Sequence, residues 1–320
     1  MKAIVQDAYG PVEVLKLREI ERPVAGPGEV LVRVHAAGVN PADWHIMAGL
    51  PSLVRLAFGL RRPKNPVRGI DVAGVVDAVG AGVTAFSAGQ RVFGVARGSF
   101  AEFAVAAQDK VALLPASLSF EQAASIPVAG CTALHAVRDA GRVSAGQRVM
   151  VIGAAGGIGT FAVQIAAALG ARVTGVCSTS KLDLVRSLGA EHVIDYTVRD
   201  LEGESGFDVI IDTAGGRPLP ALRRVLAARG RIVIVGAEGG GALFGALGRE
   251  LTGVLTPLAK KRVVGLISSE SGDDLRTLVG FVDAGTLVPV IEQSYPLAEA
   301  AAAISRITDG HARGKVVLTV

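Results

Sequence analysis

Cysteine and aromatic residues are scarce in this chain. Its 320 residues include two cysteines, Cys131 and Cys177, and aromatic side chains make up 4% of the total. Two cysteines are too few for a disulfide scaffold or a four-cysteine zinc site, and they are typical of a protein kept in a reducing cytoplasm. Hydrophobic residues make up 50% and 41 residues are glycine. This composition favours packed α/β layers, and the length allows two domains.

Long runs of one charge sign are also missing, because the basic residues are mostly interspersed with acidic ones, and the net charge is +4. The exception lies between residues 55 and 68, where five basic side chains have no acidic neighbour: Arg55, Arg61, Arg62, Lys64 and Arg68. A nucleic-acid-binding patch would normally add aromatic residues or a recognisable module, so we expect no nucleic-acid partner. The apolar segments 44–66 and 239–257 are typical of loops that cover a site or an interface, and membrane-surface contact is the alternative.

An uncharged run over residues 149–171 has the length of a membrane helix. Its glycines stand early in the run, however, where they suit a turn better than a spanning helix. The first 20 residues carry acidic and basic side chains throughout, which is unlike a signal peptide. The sequence therefore predicts a soluble, cytoplasmic protein.

Three glycines spaced three apart, Gly153, Gly156 and Gly159, stand between two apolar runs. The order of apolar run, glycine turn, helix-like segment and second apolar run is typical of the phosphate-binding half of a dinucleotide fold. Glycines let the backbone approach a pyrophosphate, which the amides at the helix N-terminus bind. A plain glycine-rich turn is the alternative. The expected cofactor-binding residues are Gly153, Ala155, Gly156, Gly157, Ile158 and Gly159.

Two patterns of secondary structure divide the chain. Short apolar runs at residues 1–5, 29–35, 72–79, 91–95 and 101–106 predict an antiparallel, barrel-like domain. From residue 121 onward, the pattern predicts a doubly wound parallel sheet. Its helices are expected at 120–140, 160–169 and 274–284, and its strands at 148–152, 172–176, 208–212, 231–235 and 262–267. The tail should contain a helix at 294–306 and a strand at 315–320.

Six motifs resemble one family across the whole chain: AAGVNPADW, GIDVAGVVDAVG, GQRVFG, VMVIGAAGGIGTFAVQIA, LGAEHVIDY and HARGKVV. Together they are similar to the medium-chain dehydrogenase/reductase superfamily, in its zinc-free quinone-oxidoreductase-like branch. The resemblance implies a GroES-like β-barrel catalytic domain (residues 1–122 and 288–320) and a doubly wound Rossmann NADP-binding domain (residues 123–287). It also implies a homodimer paired through the last Rossmann strand, at residues 262–267.

Zinc ligands of the alcohol dehydrogenase relatives are missing here. By resemblance, the three ligand positions fall at Asn40, Ile70 and Val128, and Cys131 comes three residues too late. An amide and two aliphatic side chains cannot provide the three ligands of a catalytic zinc, so we expect no metal. Without a metal, hydrogen bonds must stabilise the oxyanion, which favours NADPH-dependent reduction of a quinone or an α,β-unsaturated carbonyl compound.

The catalytic candidates implied by the resemblance are Asn40, Asp43, His45 and Thr132. Asn40 is expected to line the pocket and donate to the oxyanion, or alternatively to stabilise its own turn before Pro41. Asp43 is expected to orient this loop. His45 matches a proton-relay histidine, although an exposed or ribose-contacting histidine is the alternative. Thr132 resembles a threonine that lines the nicotinamide pocket.

The end of the second Rossmann strand predicts the cofactor. An NAD enzyme usually has an acidic residue there, whereas this chain has Ser178, Thr179 and Lys181, which suit the 2′-phosphate of NADPH. Alternatively, the same residues only cap the helix that follows. By resemblance, Tyr196 packs near the phosphate, and Val235 and Gly236 reach the nicotinamide. Two rival functions stay open: a zinc-type alcohol dehydrogenase, and an NADPH-binding sensor or membrane-surface protein without turnover.

Overall fold

The computed structural model describes residues 1–201, 203–235, 263–310 and 312–320. Gly236, the apolar segment 239–257 and Arg262 lie outside the described residues. The chain divides into two compact units: unit 1 comprises Met1–Cys131, Ser269–Asp283 and Pro289–Val320, and unit 2 comprises Thr132–Ser268 and Ala284–Val288. Residues 123–131 and 269–283, which the sequence analysis grouped with the second domain, thus pack in unit 1. No helix in the described ranges is long and apolar enough to cross a membrane.

Unit 1 is built on a seven-stranded sheet in the order β14-β15-β3-β4-β5-β7, with β6 also paired to β3, and on a small β1-β2 ladder. Its strands are β1 (Lys2–Val5), β2 (Lys16–Glu19), β3 (Glu29–Val39), β4 (Asp71–Val79), β5 (Arg91–Val95), β6 (Phe103–Ala107), β7 (Val111–Leu113), β14 (Ile291–Pro296) and β15 (Lys315–Thr319). Its helices are α1 (Pro41–Ala48), α2 (Val54–Phe58), α3 (Phe120–Ala124), α8 (Gly272–Asp283) and α9 (Ala300–Thr308). Every pairing is antiparallel except that between β14 and β15.

Strand β3 contributes side chains to two hydrophobic cores, because its register with β4 shifts between Val34 and Ala36. Val30, Val32 and Val34 pack in one core cluster. Ala37 and Val39 pack in another, with α9 and β15. Side chains alternate between the faces of a strand, so one extra residue moves the following side chains to the other face. The shift therefore lets one strand support both cores and carry its C-terminal end toward α1.

Unit 2 is a parallel six-stranded sheet in the order β10-β9-β8-β11-β12-β13. The strands are β8 (Arg148–Ile152), β9 (Arg172–Cys177), β10 (His192–Asp195), β11 (Phe207–Asp212), β12 (Leu226–Ile234) and β13 (Val263–Gly265). The helices are α5 (Gly157–Ala168), α6 (Leu182–Ser187) and α7 (Leu219–Val225), and α4 (Pro127–Leu134) begins in unit 1 and ends here. A parallel sheet covered by helices is buried on both faces, which explains its uniformly apolar strands. The predicted fold class is confirmed.

The local structure differs from the sequence predictions in several places. The tail helix begins at Ala300, because residues 291–296 pair with β15 as a parallel strand that ends at Pro296. Strand β10 was missed, although it pairs with β9 along its whole length. The expected continuous helix at 120–140 is broken into α3, α4 and a π-helical turn at His135–Ala140. The edge strand expected at 262–267 is shorter and consists of β13, Val263–Gly265. Dimer formation through this strand stays a prediction.

Candidate functional site

The start of α1 holds Asn40 and Asp43 in a fixed relationship. Asn40 caps the helix in an extended conformation, and Pro41 occupies the first helical position, where its missing N–H has no structural cost. The Asp43 carboxylate accepts the backbone N–H of Asn40 at 2.9 Å. This bond is the loop-orienting contact expected of Asp43. It leaves the side chain of Asn40 free to bond elsewhere.

The Asn40 amide lies between a lysine and a carboxylate from two other strands. Its Oδ1 accepts from Nζ of Lys315, at the start of β15, and its Nδ2 donates to Oδ2 of Asp71, at the start of β4, at 2.9 Å. Lys315 also donates to the carbonyl of Val39 at 3.1 Å and forms an ion pair with Asp71 at 3.6 Å. The second oxygen of Asp71 accepts the backbone N–H of Val128 at 3.0 Å. We call Asn40, Asp43, Asp71 and Lys315 the Asn40 network.

The Asn40 network is almost completely shielded from solvent. The exposed fraction is 2% for Asn40, 1% for Asp43, 0% for Asp71 and 3% for Lys315. Burial raises the pKa of Asp43 to about 7 against the opposing hydrogen bond from Asn40. Burial likewise raises the pKa of Asp71 to about 6, although Lys315 and the amide donors oppose the shift. Burial lowers the pKa of Lys315, and both carboxylates oppose that change. Asp71 and Lys315 therefore keep their charges through each other, whereas Asp43 takes up a proton more readily than an ordinary carboxyl.

Asp71 and Lys315 were not among the predicted site residues, although both belong to quoted motifs. A signal was present in the sequence. Each is a charged residue at the start of an otherwise apolar strand, Asp71 before VAGVV and Lys315 before VVL. Charged side chains are almost never fully buried unless they are paired. Two opposite charges at such positions therefore indicate a buried pair, and the structure brings them together.

His45 and Thr132 are placed differently from Asn40. His45 lies on α1, but its Nδ1 bonds to the carbonyl of Leu50 at 2.8 Å, and its ring meets Trp44 edge-on. A carbonyl only accepts, so Nδ1 carries the proton and Nε2 is the nitrogen left for other partners. Within the described part of the chain, His45 has no hydrogen bond to the Asn40 network. Thr132 lies on α4 with 8% of its surface exposed.

The three positions that match zinc ligands do not fit a zinc ion. Asn40 Oδ1 already holds the Lys315 ammonium, which would repel a metal cation, and Ile70 and Val128 are aliphatic. Cys131 is fully buried and stands three residues after the matching position, Val128. The described residues contain no cluster of three or more histidines, cysteines and acids suited to a metal.

In unit 2, the glycine turn between β8 and α5 has the geometry of a phosphate cradle. Gly153 adopts a φ of 77°, which favours glycine, and a Cβ on Gly159 would stand 2.0 Å from the Gly153 carbonyl oxygen. Gly156 caps α5. The first-turn amides that follow it belong to Gly157, Ile158 and Gly159, and they have no carbonyl one turn earlier to bond. Ala155 is 2% exposed within the turn. These residues fit a dinucleotide pyrophosphate.

The ends of β9 and β10 carry the residues expected to select the cofactor. Ser178 precedes a short turn, Thr179–Lys181, which leads into α6. Tyr196, half exposed, donates its backbone N–H to the carbonyl of Cys177 at 3.1 Å. After the end of β12, Val235 donates its N–H to the Asp212 carbonyl at 2.9 Å. The predicted residues thus follow the ends of β9 and β10, which are neighbours, and of β12, which β8 and β11 separate from β9. Gly236 lies outside the described residues.

An acidic residue also stands at this edge, which the sequence analysis did not anticipate. Asp195 ends β10 directly beside Cys177, the last residue of β9. Its Oδ1 accepts the Thr197 hydroxyl at 2.6 Å, and its Oδ2 accepts the Thr179 hydroxyl. These hydrogen bonds hold the pKa of Asp195 below its ordinary value, so the carboxylate is ionised. The prediction considered only the end of β9, and the end of β10 adds an acid beside it.

Family models match both halves of the chain. The alcohol dehydrogenase GroES-like domain matches residues 26–116, and a family described as zinc-binding dehydrogenase matches residues 188–318. Mus musculus NAD(P)H oxidoreductase RTN4IP1, mitochondrial, is 34% identical over 100% of this chain and 89% of its own length. Sus scrofa quinone oxidoreductase is 35% identical over 99% of this chain and 97% of its own length.

Solved structures agree with these matches. The quinone oxidoreductase from Coxiella burnetii has a TM-score of 0.86 and 31% identity, covering 100% of this chain and 99% of its own. A mycobacterial protein complexed with NADPH has a TM-score of 0.82 and 28% identity, with 100% of both chains covered. Full-length relatives above 30% identity show the family. The chain belongs to the medium-chain dehydrogenase/reductase superfamily, in its quinone-oxidoreductase branch, and is an NAD(P)H-dependent oxidoreductase.

Proposed function

We propose that this protein is a metal-independent, NADPH-dependent reductase of quinones or α,β-unsaturated carbonyl compounds. One observation carries the proposal: the Asn40 amide is hydrogen-bonded to both Lys315 and Asp71. By the resemblance described above, Asn40 stands where the metal-dependent members of the family have a zinc ligand. One Nδ2–H goes to Asp71. The other has no acceptor among the described residues, so it is available to a substrate oxygen.

The reaction class follows from the strength of such a donor. Hydride delivery to the β-carbon of an enone, or to a quinone, creates an oxyanion whose charge is spread over several atoms. A neutral amide N–H stabilises that charge adequately, whereas an isolated ketone would demand a stronger electrophile. The bound cofactor supplies the hydride. Asn40 donates to the developing oxyanion, Asp43 holds the Asn40 backbone in place, and Thr132 lines the nicotinamide pocket.

His45 is the proposed proton donor for substrates that need one. Its Nδ1–H is committed to Leu50, which fixes the ring and leaves Nε2 to carry and release a proton. An enone takes up a proton at its α-carbon after hydride transfer. A hydroquinone anion, by contrast, is protonated readily by water. His45 should therefore matter more for enones than for quinones.

The preference for NADPH rests on the turn after β9. Lys181, with the hydroxyls of Ser178 and Thr179, suits a 2′-phosphate. Asp195 opposes it through charge repulsion, although the hydroxyls of Thr179 and Thr197 already bond that carboxylate. The NADPH bound to the mycobacterial relative supports the same choice. We therefore expect NADPH to be preferred, with NADH accepted as a weaker substrate.

Steady-state oxidation of NADPH and NADH tests the proposal. The purified protein is assayed with a small panel of quinones and enones, and with alcohols plus the oxidised cofactors. Turnover of quinones or enones that survives exhaustive chelation is expected. Loss of activity after chelation, restored by zinc, would favour the zinc-type alcohol dehydrogenase. Tight NADPH binding without turnover of any compound would favour an NADPH-binding sensor that has no catalytic activity.

A further inference from the structure

We infer that Lys315 and Asp71 are positioning residues that set the orientation of the Asn40 amide for catalysis. The inference rests on the proposed function, since it assigns Asn40 the oxyanion-binding role. Lys315 and Asp71 come from strands that are distant in the sequence, and neither residue contacts the substrate in the proposed reaction. Lys315 acts on the amide oxygen, and Asp71 acts on the amide nitrogen.

The orientation argument begins with the symmetry of an amide side chain. The two ends of an asparagine amide have nearly the same shape, so packing alone does not decide which end faces a given direction. A lysine ammonium has only donors and must face Oδ1. An ionised carboxylate has only acceptors and must face Nδ2. With Lys315 on one side and Asp71 on the other, a flipped Asn40 would oppose donor to donor and acceptor to acceptor.

Lys315 and Asp71 are themselves held on further backbone groups. Lys315 donates to the carbonyl of Val39, the residue before Asn40, and Asp71 accepts the N–H of Val128. Gly38 leaves the space in which the Asp71 carboxylate reaches Asn40, because a Cβ on Gly38 would stand 2.7 Å from Oδ2 of Asp71. The ends of β3, β4, β15 and α4 therefore converge on one amide. A buried pair that served stability alone would not require a hydrogen-bonded asparagine between its members, and apolar replacements would often serve as well.

A double-mutant cycle tests the inference. The variants are Asn40→Ala, Lys315→Met and the double variant, with Lys16→Met as a control that removes an exposed lysine of unit 1. Thermal unfolding and the NADPH dissociation constant are measured for each, to select proteins that remain folded. Removal of one oxyanion donor typically costs about 10²-fold in kcat, so N40A should lose about that factor. K315M should lose at least about tenfold through misorientation of the same donor.

The expected result is strong non-additivity in kcat. K315M should cost much less in the N40A background, because the group that it positions is already gone. The NADPH dissociation constant should not change, and K16M should behave as wild type. Fully additive losses, or a K315M protein that keeps the wild-type kcat, would overturn the positioning role. A wild type without turnover would instead overturn the proposed function.

A readout independent of turnover uses crystal structures of the wild type and K315M at better than about 1.2 Å resolution, where the oxygen and nitrogen of the Asn40 amide can be told apart. The Asn40 side chain is expected to rotate or to lose its single orientation in K315M. Asp71→Asn provides a second variant in case K315M does not fold, because it replaces an acceptor with a group that can bond either end of the amide. An Asn40 side chain that keeps its wild-type position in both variants would contradict the inference even if the protein had no measurable activity.

Discussion

Gly38 lies directly against Asp71. A Cβ atom on Gly38 would stand 2.7 Å from Oδ2 of Asp71 and 2.3 Å from the carbonyl oxygen of Ala124. Because the second contact is with the backbone, it cannot be relieved by rotating a side chain. The space for the Asp71 carboxylate, and for its bond to Asn40, is thus made by a glycine near the C-terminal end of β3.

Gly38→Ala should therefore destabilise unit 1 and displace Asp71. Overpacking in a core typically costs about 1–3 kcal/mol. Gly280→Ala is the matched control, since a Cβ there meets no atom within 4 Å in α8. Alanine in a helix should stabilise by about 0.5–1 kcal/mol. Urea unfolding of both variants measures the difference, and a G38A protein as stable as wild type would show that the strand can move aside.

The sequence was most informative where the residues of a predicted feature are contiguous in the chain. The turn from Gly153 to Gly159 and its flanking strands are contiguous, so the pattern predicted the strand, glycine turn and helix that the structure contains. The parallel sheet was predictable for the same reason, because its strands are uniformly apolar. The start of the tail helix was misjudged because residues 294–296 pair with β15, whereas the alanines from Ala300 onward are helical as predicted.

The Asn40 network was only partly predictable because its members come from distant parts of the chain. Asn40 and Asp43 were found through one contiguous motif. Asp71 and Lys315 required knowledge of which strand ends meet, and that depends on the order β15-β3-β4 in the sheet. Asp195 was missed for a related reason: β10 was not recognised as the neighbour of β9. Pairing between strands, rather than residue type, was the missing information.

Asp43 should make stability depend on pH between about 4 and 7. Its pKa is about 7 in the folded protein and about 3.9 in an unfolded chain. Between these values the folded state holds a proton that the unfolded state has released, so stability falls as pH rises and levels off above 7. Asp71 acts in the same direction, whereas the lowered pKa of Lys315 has its effect at alkaline pH.

Asp43→Asn should therefore flatten this dependence. One fully displaced proton corresponds to about 1.4 kcal/mol per pH unit, and removing it should reduce the slope by up to that amount. Urea midpoints at several pH values from 4.5 to 8 provide the measurement. Asp183→Asn is the control, because that side chain is 99% exposed. Parallel pH profiles for wild type and D43N would mean that Asp43 is not protonated in this range.

Asp195 and Lys181 should shift cofactor preference in opposite directions. Asp195→Asn removes a negative charge from the edge proposed for the 2′-phosphate, so the ratio of kcat/KM for NADPH over NADH should rise about fivefold to tenfold. Lys181→Ala should lower the same ratio. Asp273→Asn, which removes an exposed acid of unit 1, is the control. If neither D195N nor K181A changes the ratio, the end of β9 does not select the cofactor.

His45 should separate enone from quinone substrates. Its Nδ1–H donates to the Leu50 carbonyl, so the ring presents only Nε2 for proton transfer. Loss of a general acid typically costs about 10²-fold or more where the transition state needs its proton. His45→Ala should approach that loss with an enone, whose α-carbon must be protonated, and should lose much less with a quinone. His192→Ala, at an exposed histidine of unit 2, is the control.

Solvent isotope effects on kcat should be larger for the enone in the wild type and should change in H45A. Equal losses for both substrate classes would indicate that His45 only supports the loop through Leu50, because a structural defect does not distinguish between the two acceptors.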